Sequence, residues 1–178
     1  MDNASLFRAL SFAAEKHRHQ RRKDVAASPY INHPIAVATV LAIEAGLDDP
    51  TLLMGAILHD TVEDTETNFE ELSFHFGTEV ADLVRELTDD KSLPKDIRKR
   101  LQVAHAPHRS QKAKCLKMAD KICNIRDITE HPPNGWSKER RLAYLDWAHR
   151  VVNGCRDADP TLSLLFDEVH QQALKIIS

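Results

Sequence analysis

The segment Leu58-His59-Asp60-Thr61-Val62-Glu63-Asp64-Thr65 sets four ionisable side chains directly after an apolar stretch. Leu53, Ala56 and Ile57 form an apolar row at helical spacing, and the same i, i+3, i+4 series continues into Asp60 and Asp64. The neighbouring row, Leu52 and Ala56, continues into His59 and Glu63. A helix face that only meets core stays apolar; this one turns ionisable at its C-terminal end. Residues four apart are neighbours on a helix, so Glu63 is expected one turn beyond His59, and Asp64 one turn beyond Asp60. Unpaired carboxylates on an inward face are expensive to bury. A metal cation removes that cost by compensating their charge and using their lone pairs. A lone His-Asp dipeptide is more often an ordinary surface pair, but this one extends a buried row and is followed at once by Glu-Asp.

Two further candidates come from elsewhere in the chain. His33 precedes Pro34 at a predicted helix start, where a side chain can project into a cavity, although capping or surface roles fit the same place. Asp120 lies on the apolar side of its helix with Leu116 and Cys123, a position that equally suits a buried ion pair. Together His33, His59, Asp60 and Asp120 offer two imidazoles and two carboxylates. That donor set suits a divalent ion of intermediate hardness, Mn²⁺, Fe²⁺ or Zn²⁺, and leaves positions open for water and substrate. Lys91, Lys95, Arg98 and Lys99 recur at helical spacing with Arg109 further on; they would suit phosphate, and a solvated charged face gives the same pattern. Trp136, Tyr144, Trp147 and Phe166 fit core positions as well as functional ones, and Tyr144 could approach a nucleotide.

The elements that must position these residues are helices, since apolar residues recur at helical spacing almost throughout and strand-like alternation is nearly absent. The first helix is expected over about Ala4–His19, followed by a loop over Arg21–Asn32. Pro34 fits the first position of a second helix ending near Ala45, with His33 at its cap and Gly46 closing it. Pro50 opens the third. Thr67 and Glu70 have capping-box spacing ahead of a fourth, and Gly77-Thr78 opens a fifth that ends near Thr88. Another helix starts at Pro94 and stops before Pro107. Ser110 precedes a long run through Leu116–Ile128, and His131-Pro132-Pro133-Asn134-Gly135 breaks the chain. Ser137–Asn153 and Pro160–Ile177 complete an all-α fold of about eight to ten helices, expected to form a single domain over residues 1–178.

Composition narrows the partners. A net charge of −3 on 178 residues speaks against a nucleic-acid polymer, which calls for a basic balance or stripe; a small phosphorylated ligand needs only a local basic patch. Cys115, Cys123 and Cys155 are odd in number and form no C-x-x-C pair, so neither a disulfide framework nor a cysteine zinc site is expected, and a reducing, cytoplasmic compartment fits. Met1-Asp2-Asn3-Ala4-Ser5 carries no signal-peptide pattern. No apolar run approaches the roughly 18 residues that span a bilayer. Oligomeric state is not legible.

Several segments resemble the hydrolase domain of the RelA/SpoT family. They are His17-Arg18-His19-Gln20-Arg21-Arg22-Lys23 with Pro29-Tyr30-Ile31, His33-Pro34-Ile35-Ala36-Val37-Ala38, the Leu58–Thr65 segment, and Lys117-Met118-Ala119-Asp120-Lys121-Ile122-Cys123-Asn124-Ile125-Arg126. Thr88–Lys95 and Arg98–Gln102 are similar to the stand-alone small alarmone hydrolases of that family, the metazoan members among them. The resemblance covers about Leu6 to Trp147. It implies an α-helical HD fold with one Mn²⁺ at His33, His59, Asp60 and Asp120, and a Glu63-Asp64 pair acting on the nucleophilic water. It also implies that Asn124 lies near metal and substrate, with Arg22 and Lys23 as a basic pair beside the site. Cys123 departs from the His that long members usually carry there. No synthetase, TGS or regulatory domain is expected within these residues. The implied reaction is hydrolysis of the 3′-pyrophosphate of guanosine tetra- or pentaphosphate, giving GDP or GTP and pyrophosphate. The 2′-phosphate of NADPH is an alternative substrate for the same machinery. A non-enzymatic alarmone sensor fits less well, because every ligand and the Glu-Asp pair are present.

Overall fold

Proline and short polar residues stand where many of the helices begin, and side-chain caps close five of the ten α-helix starts among the described residues. In the computed structural model, which describes residues 3–178, the Asp49 carboxylate accepts from Leu52 N (2.8 Å) ahead of Pro50, and the Asp159 carboxylate accepts from Leu162 N (2.8 Å) ahead of Pro160. The hydroxyls of Ser110 and Ser137 accept from Ala113 N and Arg140 N. Each such bond satisfies an orphan donor of the first turn. Met1 and Asp2, part of the stretch read for a signal peptide, lie outside the described residues.

The described residues form ten α-helices and no named strand. They are α1 (Asn3–Lys16), α2 (Asn32–Thr39), α3 (Pro50–Leu58), α4 (Thr61–Asp64), α5 (Phe69–Phe76), α6 (Thr78–Leu87), α7 (Lys95–His105), α8 (Gln111–Glu130), α9 (Lys138–Asn153) and α10 (Pro160–Ile177). A π turn over Val40–Glu44 extends α2, and a 3₁₀ turn over Ala106–His108 follows α7. None of the helices is long and apolar enough to cross a membrane, among the described residues.

The helices fall into two compact units. The first comprises the chain up to Arg21 together with Pro29–Ser92. Its centre is α3, which packs against α1, α2 and α6, while α5 packs on α6. Ala9 and Ala13 of α1, Ile57 and Leu58 of α3, Leu72 of α5, and Val80, Ala81 and Val84 of α6 form its core. The second unit comprises Arg22–Ser28 and Leu93–Ser178. There α8 packs against α9 and α10, which also pack on each other, and α7 packs on α9. Every residue of α8 from Ala113 to Cys123 is buried, as expected of a helix enclosed on all sides.

Four local expectations need correction. α1 ends at Lys16 rather than near His19, because Arg18 N turns back to Glu15 O and Gln20 N to His17 O in tight turns. α2 begins at Asn32, ahead of Pro34, because Asn32 N and His33 N already bond to Pro29 O and Tyr30 O; His33 therefore lies in the first turn and is not the cap. Asn68, not Thr67, caps α5, its side chain accepting from Glu71 N at 2.8 Å. The helix expected to run unbroken through His59–Asp64 stops at Leu58 and restarts at Thr61. There His59 Nδ1 bonds to Ala56 O (2.8 Å) and Thr61 Oγ1 to Leu58 O (2.7 Å). Side chains thereby compete with the backbone for the carbonyls a continuous helix would use.

Candidate metal centre

Within the first unit, His33 from the start of α2 meets His59 and Asp60 from the break between α3 and α4. The two imidazoles are buried, with ring centroids 5.5 Å apart. His59 Nε2 lies 3.2 Å from Asp60 Oδ2, and His33 Nε2 lies 3.9 Å from the same oxygen. One ligand atom from each of the three residues falls within 4.8 Å of the others.

His59 itself tests whether this set fits a cation. The Ala56 carbonyl can only accept, so the Nδ1 facing it carries the proton and donates. In the neutral ring Nε2 then presents a lone pair. That lone pair faces a carboxylate oxygen, two acceptors at van der Waals distance. A cation shared by both turns the opposition into coordination, and a backbone carbonyl fixing the other ring nitrogen is the usual support of a metal-ligating histidine. The residues fit a divalent ion. Tyr30 Oη donates to the same oxygen, Asp60 Oδ2, at 2.6 Å and helps fix the orientation of the carboxylate.

Glu63 and Asp64, one turn further on, have different surroundings. Glu63 Oε2 accepts from Asp89 N at 3.2 Å. Burial pushes the Glu63 carboxyl above its ordinary range, the Asp89 N–H opposes that, and the carboxylates of Asp89, Asp60 and Asp64 add to it. Asp64 is held at both oxygens, Oδ2 by Gln20 Nε2 (3.0 Å) and Oδ1 by Lys91 Nζ.

The remaining residues singled out in the sequence belong to the second unit. Asp120 accepts from Lys121 Nζ (2.8 Å) and from Asn124 Nδ2 (2.6 Å). Arg22 reaches Asn124 Oδ1 at 3.3 Å and pairs with Asp127. Arg98 Nε donates to Leu93 O at 3.3 Å. The Lys95 amine is held below its usual range, by burial first and then by the charges of Arg140, Lys23 and Arg98. Burial likewise pushes the Tyr144 hydroxyl up to about 12, and the ring packs against Trp136 and Trp147. Lys99 and Lys121 each place an ammonium 4.6 Å from the Trp147 ring centroid, a cation–π arrangement.

Reading the sequence for chemistry overlooked Tyr30, Gln20 and Asp89 in the first unit, and Lys121, Asp127 and Arg140 in the second. Tyr30 and Gln20 stood inside segments that carry the family resemblance, but nothing in their spacing ties them to partners 30 and 44 positions away.

A family model described as HD domain matches residues 9–150. The guanosine-3′,5′-bis(diphosphate) 3′-pyrophosphohydrolase MESH1 of Xenopus tropicalis is 52% identical over 168 residues, covering 94% of this chain and 94% of that protein. The human protein of the same name is 51% identical over 169 residues, covering 95% and 94%. A solved structure described as a metazoan orthologue of SpoT that hydrolyses ppGpp and plays a role in starvation responses superimposes with a TM-score of 0.92; it is 48% identical, and the match covers 95% of each chain.

Proposed function

Because the chain belongs to the HD-domain family, we propose that it is a hydrolase removing the 3′-pyrophosphate of guanosine 3′,5′-bis(diphosphate) and of its pentaphosphate analogue, with release of pyrophosphate and GDP or GTP. The observation that carries this reading is the convergence of His33, His59 and Asp60, with the His59 tautomer set by the Ala56 carbonyl. The activity named for relatives that match nearly end to end supports the substrate.

Manganese is the ion we assign to this donor set, with Asp120 as a fourth ligand by correspondence of sequence segments; Fe²⁺ or Zn²⁺ would meet the same donors. When bound, such a cation supplies Lewis acidity toward the phosphoryl group. Glu63 takes the proton of the attacking water, a role suited to a carboxyl whose basicity burial has raised. Asp64 orients that water. Oxygen–phosphorus bond formation then accompanies cleavage of the bond from phosphorus to ribose O3′, which leaves with a proton. Arg22, Lys23, Lys95 and Arg98 neutralise phosphate charge, Asn124 positions substrate, and Tyr144 offers an aromatic surface to the nucleoside. A polyphosphate would relieve the mutual repulsion of the Lys95 cluster.

The test is product analysis by ion-exchange chromatography, after loading the protein with Mn²⁺, Fe²⁺ or Zn²⁺ and offering guanosine tetraphosphate, guanosine pentaphosphate or NADPH. GDP or GTP with pyrophosphate is the expected outcome. NADH and phosphate from NADPH, with both alarmones untouched, would overturn the substrate assignment. Full metal content in Asp120→Ala would remove that residue from the ligand set.

A further inference from the structure

Asp64 is joined through Gln20 to a buried histidine that the metal site does not use. Gln20 Nε2 donates to Asp64 Oδ2 at 3.0 Å, and its other amide atom, Oε1, lies 2.6 Å from His17 Nδ1. His17 is only 2% exposed, and its ring packs on the Tyr30 ring at a centroid distance of 4.9 Å. An amide oxygen can only accept, so His17 Nδ1 must carry the proton. Turning the Gln20 amide over would set Oε1 against the Asp64 carboxylate, acceptor against acceptor. The His17 tautomer, the Gln20 amide orientation and acceptance by Asp64 Oδ2 thus select one another.

The cost of this arrangement falls on His17. In the neutral ring with Nδ1 protonated, Nε2 keeps a lone pair that is buried without a hydrogen-bond partner among the described residues. Burying an unsatisfied acceptor is unfavourable, and a phenyl ring would pack on Tyr30 without it. Packing therefore does not explain a histidine here; the Nδ1–H does. The backbone helps, since the turn that closes Gln20 N onto His17 O brings the two side chains side by side.

We propose that His17 and Gln20 are positioning residues for Asp64: the His17 Nδ1–H locks the Gln20 amide, and the amide holds Asp64 Oδ2 while Lys91 holds Oδ1. The proposal rests on the catalytic reading of Asp64. A carboxylate tied at both oxygens keeps one orientation toward the water it acts on, and small misplacements at a reacting centre are costly.

His17→Asn keeps a donor close to the Nδ1 position but leaves a void, whereas His17→Phe keeps the ring and loses the donor. Positioning and packing therefore predict opposite orders. Steady-state kinetics on the metal-loaded full chain should show His17→Asn near the wild-type kcat, and His17→Phe and Gln20→Leu lowered about 10- to 100-fold in kcat. KM and metal content should stay unchanged, and the melting temperature of His17→Phe should be at least that of His17→Asn. Gln20→Leu should add nothing in an Asp64→Asn background. Wild-type kcat in His17→Phe, a larger loss in His17→Asn than in His17→Phe, or an undiminished Gln20→Leu effect in the Asp64→Asn background would each overturn the relay alone. Wild-type turnover by Asp64→Asn itself would instead sink the catalytic reading, and the relay with it.

Discussion

Glu63 and Asp64 are adjacent acids with opposite supports. Glu63 is pushed toward protonation by burial and has a backbone N–H at one oxygen, whereas Asp64 is gripped by an amide and an ammonium. That asymmetry is why we divide proton transfer and water orientation between them. Glu63→Gln preserves size and hydrogen bonding but removes basicity. It should keep its metal while kcat falls about 10²–10⁴-fold, the scale of a lost general base. Near-normal turnover with metal in place would remove Glu63 from the chemistry, and loss of metal would make it a ligand.

At the scale of elements, what positions the metal donors is the break between α3 and α4 and the early start of α2. A side chain also sets the start of α5, where Asn68 supplies the acceptor that the first-turn N–H of Glu71 lacks within the helix. Asn68→Ala should cost about 1 kcal/mol, the usual value of a lost cap, and chemical denaturation of the purified variant would measure it. An unchanged midpoint would mean that the Asn68 bond contributes nothing. A second element-level prediction concerns acid. Arg156, after α9, pairs with Asp167 of α10 through contacts of 3.0 and 2.7 Å, and hydrogen bonding to that guanidinium holds the Asp167 carboxyl below its ordinary range. A carboxyl depressed by folding stabilises the protein above its unfolded pKa, and that stability is lost as pH falls through the folded value. Asp167→Asn should therefore melt below wild type at neutral pH, and the gap should close on acidification. A gap that stays constant with pH would show that the ion pair is not its source.

For the molecule as a whole, a cation that binds only the folded chain must stabilise it by mass action. At about 100 times its dissociation constant the gain is about 2.7 kcal/mol, so added Mn²⁺ should raise the melting temperature of wild type and leave Asp60→Ala unmoved. An equal shift in both would place the binding elsewhere. The all-helical class, most helix starts, and the ionisable end of the α3 row were determined by the sequence alone, because helical periodicity and caps are relations between residues a few positions apart. The family resemblance, on ordered segments, pointed correctly to HD hydrolases. Only the tertiary structure decided which nitrogen of His59 faces Asp60 and that the chain breaks at that point. It also decided that Tyr30 braces Asp60 and that Gln20 and Lys91 grip Asp64. Those pairings join residues 27 to 44 positions apart. They exist because α1, α2 and α6 pack against α3, and no local spacing records which side chains that packing brings together.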